Sequence, residues 1–237
     1  MRGVANRSAR IGALLLSLSV VGAPIASAQQ TIFNVPSSEV AERGRTFIEL
    51  TSSFRPFGTH YSTFLPRVIV GVGRGVELGA GVFDTEGRTF GETTALELSA
   101  KWRFFNSEET GTQLAVTTRV NVPLRGQPEK GSFLTFAGLH QLIKPTRTRI
   151  SGGVFNGTPR SLRPENLTGG WASIEQPIHR GLSFVADWMS GNHRLGFFTP
   201  GLSFKSSHHY FRAGYQIGNG SIDSGLNGFV VRYGVWF

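Results

Sequence analysis

The sequence has no cysteine in 237 residues. That excludes disulfides and thiolate metal sites, and it fits a chain that crosses an oxidising compartment. It also lacks any apolar run of the roughly 20 residues a helix needs to span hydrocarbon. Neither a G-x-S-x-G nor an H-E-x-x-H frame occurs, so no nucleophile elbow or zinc-protease helix is present. The 31 glycines show no collagen period. Cations exceed anions, 24 to 15, but Arg2, Arg7 and Arg10 crowd into the first ten residues and the rest are scattered. With no basic run, nucleic acid is not an expected partner.

What the chain does have begins with an export signal. Arg2, Arg7 and Arg10 form a positive region, Ile11 to Val21 is an apolar stretch, and Ala26-Ser27-Ala28 gives a small-x-small cleavage pattern. Residues 1–28 are therefore expected to be a cleaved signal peptide, with Gln29 as the new N-terminus. No Cys follows to carry a lipid. Residues 29–45 are expected to be a periplasmic N-terminal segment, with one or two helical turns from Ser37, as N-cap, to Gly44, as terminator.

From Thr46 to Phe237 the dominant period is two. Thr94, Leu96, Leu98, Ala100, Trp102 and Phe104 alternate with Ala95, Glu97, Ser99, Lys101 and Arg103. Leu114, Val116, Thr118, Val120 and Val122 alternate with Ala115, Thr117, Arg119 and Asn121. Successive strand side chains point to opposite faces, so each segment has an apolar face and a mixed polar one. Twelve strands are expected, at about 46–54, 62–72, 75–83, 93–104, 112–122, 132–143, 147–155, 170–177, 181–189, 195–204, 208–217 and 228–237. Strands six and eight, around Phe136 and Ile174, alternate poorly. Most lengths approach the 9–11 residues of a tilted membrane strand.

Short links such as Gly73-Arg74-Gly75 and Lys144-Pro145-Thr146 alternate with mostly longer ones, the pattern of periplasmic turns and outer loops in membrane barrels. The end of the chain is the sharpest signal. Phe229, Val231, Tyr233, Val235 and Phe237 form an apolar stripe ending in an aromatic residue. It resembles the terminal strand that outer-membrane barrels present to the barrel-assembly machinery, and it is suited to close against strand one.

The alternative fold is a soluble exported sandwich or lipocalin-like barrel with its apolar faces turned inward. Glu49, Glu77, Glu97, Lys101, Arg103, Arg119, Arg149, Glu175, Asp187, Arg212 and Arg232 fall opposite the apolar stripes. Eleven charges would be costly in a dry core and suit a polar barrel interior. The expected fold is all-β: an antiparallel up-and-down transmembrane β-barrel of about 12 strands, with 10 or 14 as neighbours, in the outer membrane of a Gram-negative bacterium.

Asp187-Trp-Met-Ser-Gly-Asn-His193, Gly196-Phe-Phe-Thr-Pro-Gly201 and Thr31-Ile-Phe-Asn-Val-Pro36 together resemble bacterial outer-membrane barrel proteins related to the transporter-like group labelled for a phenol-degradation (meta-pathway) role. The resemblance implies an outer-membrane barrel and a solute channel. It names no substrate.

Three functional classes follow. A small porin-like channel would pass small polar solutes, anionic ones mildly preferred because basic residues exceed acidic ones, six to five, among the eleven lumen-facing candidates. An outer-membrane hydrolase would need a base such as His140 or His193, the latter oriented by Asp187. A structural or adhesive barrel would bind partners through the loops Asn156–Gly169 and Gly218–Asn227. Asp84, Glu86 and Glu92 lack calcium-loop spacing and read as a solvated loop. The channel is the preferred reading: no enzyme activity, no cofactor, no metal, and outer-membrane lipid and a small polar solute as partners.

Overall fold

A computed structural model describes residues 31–37, 39–55, 61–86, 93–125, 131–162, 166–220 and 227–237. The expected signal peptide lies outside them. So do Glu92 and the side chains of Asp84 and Glu86.

Twelve strands form: β1 Thr46–Arg55, β2 Tyr61–Gly73, β3 Val76–Glu86, β4 Thr93–Ser107, β5 Thr112–Arg125, β6 Ser132–Ile143, β7 Thr148–Gly157, β8 Thr168–His179, β9 Leu182–Met189, β10 Phe197–Lys205, β11 His209–Gly218 and β12 Gly228–Trp236. Each pairs antiparallel with its sequence neighbours, and β1 pairs with β12 to close the barrel. The seam runs in continuous register from Phe47 opposite Trp236 to Phe54 opposite Phe229. Closure leaves no edge whose N–H and C=O groups would face lipid unpaired.

The hydrophobic stripes point outward. Ile48, Leu50, Val68, Leu98, Val120 and Phe211 are exposed, whereas the intervening Glu49, Arg67, Glu97 and Arg212 are buried. Exposed aromatics gather at both ends of the wall. Phe54, Phe133, Trp188, Phe198, Tyr215 and Phe229 lie toward the long-loop end, and Trp102, Phe104, Phe204, Tyr233 and Phe237 toward the short-turn end. Two aromatic bands flanking an apolar belt are the outer surface of a membrane barrel.

The tight turns use left-handed backbone. Gly75, Gly111 and Gly181 have φ between +72° and +74°, and each lends its carbonyl to the amide of Arg103, Leu142 or Lys205 on the following strand. A residue with a Cβ is strained there, which explains these three glycines.

The helical turn expected over 37–44 does not form among the described residues; a tight turn stands at Arg43 and Gly44. Its anchors are on the inner wall. The Gly44 amide donates to the Gly71 carbonyl and the Gly71 amide to that of Arg45. A methyl on Gly71 would stand 2.0 Å from the Glu42 carbonyl oxygen, so only glycine lets the backbones come this close. The described residues of 31–45 thus form a strap folded inside the barrel.

Candidate functional site

The strap begins with a tight turn. Thr31 bridges Pro36, and the Ile32 amide donates to the Val35 carbonyl at 2.8 Å. This turn aims three successive amides at one oxygen of Asp187: Phe33, Asn34 and Val35 donate to Oδ2 at 2.8, 2.6 and 3.1 Å. Such a concave run of N–H groups is an anion nest, here filled by a wall carboxylate. Asn34 also donates to Thr199 Oγ1 at 3.0 Å, and Arg232 donates to Thr31 Oγ1 and the Phe33 carbonyl.

The apolar side chains of the turn join the wall. Ile32, Phe33 and Val35 pack with Leu134, Phe136, Phe155, Trp171, Val185, Met189 and Val230 into one buried cluster inside the barrel. Burying each such side chain is worth about 1.5–3 kcal/mol, enough to hold the turn in a lumen otherwise lined by charge. Phe33 lies over Gly214, where a Cβ would meet its ring at 2.6 Å, and under the Arg212 guanidinium at 5.5 Å.

Further along, Lys101 Nζ donates to the Glu39 carbonyl at 2.7 Å and pairs with Glu77 at 3.2 Å. The Ala41 amide donates to Glu77 at 2.7 Å. The Glu39 carboxylate reaches Arg149 on β7 and Lys205 on β10. The strap therefore crosses the short-turn mouth from the β3–β4 wall toward β7 and β10.

All eleven charges expected in the lumen lie on inner-face positions. Eight of them, joined by Arg67 and Lys205, form three ion-paired groups. Arg67 bridges Glu49 at 2.7 Å and Glu97 at 3.2 Å, with Arg232 at 3.5 Å from Glu49. Lys101 pairs with Glu77 against the strap. Glu175 is shared by Arg149, Lys205 and Arg212 at 3.7, 3.2 and 3.6 Å. Arg103 is half-buried near the short-turn end. Such pairs are costly to break from one side, because the orphaned charge stays buried.

The inner face of β5 carries a run of polar residues. Gln113 Oε1, Thr117 Oγ1, Arg119 Nε and Nη2, and Asn121 Oδ1 are buried without a hydrogen-bond partner among the described residues. Arg119 stacks on the Phe136 ring at 5.5 Å. These four positions share one face of one strand and span roughly 25 Å. Buried polar atoms need a partner from protein, water or solute, and these have none among the described residues.

Of the residues considered for hydrolysis, Asp187 and His193 do not meet. Asp187 holds the strap and does not orient His193. The His193 Nε2–H donates to the Ser190 carbonyl at 2.8 Å, its Nδ1 accepts from the Leu195 amide at 3.2 Å, and the ring braces the loop between β9 and β10. His140 Nδ1 lies 2.7 Å from Ser151 Oγ, but both are buried on the inner wall beside Trp171, away from the lipid surface. The terminal stripe Phe229, Val231, Tyr233, Val235 and Phe237 faces outward.

Arg67, Lys205 and Glu39 complete the groups above and were not singled out from the sequence. Arg67 sits in Leu65-Pro66-Arg67-Val68-Ile69-Val70, where apolar residues on both faces hide the period. Counting inward positions from Thr63 would have found it.

No family profile and no curated protein matches the chain. Among solved structures, it is similar to an outer membrane channel from Pseudomonas putida F1, with 11% identity, 84% of this chain and 98% of the other covered, and TM-score 0.50. Outer membrane phospholipase A from Escherichia coli is matched at 12% identity over 81% of this chain and 89% of the other, TM-score 0.48. The N-terminal β-barrel domain of Pseudomonas aeruginosa OprF is matched at 11% over 82% and 98%, TM-score 0.30. At these identities the channel likeness is one of fold: this chain has the closed antiparallel architecture of outer-membrane barrels.

Proposed function

We propose that the protein is an outer-membrane channel for small polar solutes, anionic ones preferred, with a lumen narrowed by its own N-terminal strap. The observation that carries this reading is a closed barrel with charged and polar side chains turned inward and apolar ones outward; on β5 the inward polar residues are Gln113, Thr117, Arg119 and Asn121. The strap's contacts fall on β1 to β4 and on β6 to β12, so the path is placed along β5. Arg119 sets its sign, favouring anions.

The apolar belt and its aromatic bands support an outer-membrane location. The fold shared with a bacterial channel and the resemblance to a transporter-like group agree with it. Export follows from the signal over residues 1–28, and the outward aromatic stripe of β12 is the element offered to the insertion machinery and to lipid.

Planar-bilayer recording tests the proposal. The folded mature protein is expected to show small, discrete conductance steps with anion preference. Arg119→Glu should shift the reversal potential toward cations, and deletion of residues 31–42 should enlarge the steps. Silence from the wild type and the deletion variant alike, both folded, would overturn it.

A further inference from the structure

One feature of the short-turn mouth is a site whose present occupant is part of the chain. Three cations from three strands converge there: Arg149 of β7, Lys205 of β10 and Arg212 of β11. Glu175 of β8 is their fixed wall partner, within 3.7 Å of each. The second carboxylate is different in kind. Glu39 belongs to the strap, and its Oε1 touches both Arg149 and Lys205. The Arg149 side chain is 36% exposed and that of Lys205 13%, so solvent reaches the cluster from the short-turn side.

We infer that Arg149, Lys205 and Arg212 form a carboxylate-binding site that Glu39 occupies in the closed barrel, and that a small carboxylate solute entering by this mouth displaces Glu39 and loosens the strap. Without Glu39 the site holds three cations against one carboxylate. A dicarboxylate restores the balance, and its planar oxygens match the donors that already hold Glu39. The inference deepens the channel reading by naming a solute class and a latch, but binding is measurable without any current.

Val40, next to the latch, gives a probe of strap release. The chain has no cysteine, and Val40, next to Glu39, is buried. In Val40→Cys, maleimide labelling should be slow in sodium chloride and several-fold faster in succinate of equal ionic strength. Adding Glu39→Gln should make labelling fast in both salts. By calorimetry, Glu39→Gln should bind succinate about tenfold more tightly than the wild type, the factor that about 1.4 kcal/mol of lost competition gives. Adding Arg149→Gln and Lys205→Gln should abolish that binding.

Failure of succinate to change labelling of Val40→Cys overturns the inference, and this arm keeps the natural Glu39, so it holds even if Glu39→Gln does not fold. Binding that survives loss of Arg149 and Lys205 overturns it as well. Conductance with no succinate effect would leave the channel reading standing without the latch. Succinate-driven release in a barrel that never conducts would do the reverse.

Discussion

The Asp187 carboxylate holds the backbone amide of Asn34 at 2.6 Å, across 153 residues of chain. The amides of Phe33 and Val35 complete the contact. A strand residue of the wall thereby fixes the conformation of the strap turn and its place in the lumen. Hydrogen bonds to a charged group contribute about 1.5–3 kcal/mol each when buried, with less than additive totals. Asp187→Asn keeps the shape and removes the charge, so strap docking should weaken by about 2–3 kcal/mol. The expected readout is a larger or more frequently open conductance in a barrel that still migrates as folded on unheated gels. Unchanged conductance would separate the strap from the permeation path.

Phe33 and Gly214 should behave as a coupled pair. A Cβ on Gly214 would have three Phe33 ring atoms as its nearest neighbours, at 2.6 to 3.0 Å, so Gly214→Ala collides with the strap. The expected cost is about 1–3 kcal/mol of overpacking. Phe33→Ala removes the collision, and the double variant should be less damaged than the two single effects predict. Midpoints of thermal unfolding in detergent would measure the cycle; strict additivity would count against the contact.

The wall was legible in the sequence and the strap was not. Period-two alternation placed twelve strands and turned all eleven predicted charges inward, because a strand with lipid on one face and polar lumen on the other must alternate. Strands six and eight alternate poorly for a reason visible inside the barrel. Leu134 and Phe136 of β6 and Trp171 of β8 point inward and are still apolar, since they pack on Ile32, Phe33 and Val35. The strap has no periodicity of its own: its few residues are held by nonlocal partners, Asp187, Arg232 and Glu77, that no local pattern announces. The same blindness hid Glu39 as a partner of Arg149.

Arg67 should be the most sensitive charge of the wall. It is buried between Glu49 and Glu97, and Arg67→Met leaves both carboxylates without that partner. Breaking a buried pair from one side costs about 3–5 kcal/mol. The double change Arg67→Met and Glu97→Gln should recover much of the loss, because Glu97 is then uncharged and Glu49 keeps Arg232 at 3.5 Å. Urea unfolding in micelles reads both. A double variant as weak as the single one would mean that Arg67 acts through shape and not through charge.

The loop between β9 and β10 should loosen on acidification. Burial pushes the His193 pKa below its ordinary value, outweighing the hydrogen bond to Ser190 that favours the charged ring. Its Nδ1 accepts the Leu195 amide, which a protonated ring cannot do. The unfolded loop therefore binds a proton more readily than the folded one, and stability falls as pH drops through the ordinary histidine value of about 6.5, levelling off below the folded pKa. Above about pH 7 little should change. Protection factors at the Leu195 and Gly196 amides, which correct for the intrinsic rate, should fall on acidification, and His193→Gln should remove that pH dependence. Protection equal at both ends of the range would show that the ring keeps its acceptor throughout, and the loop would then owe its order to other contacts.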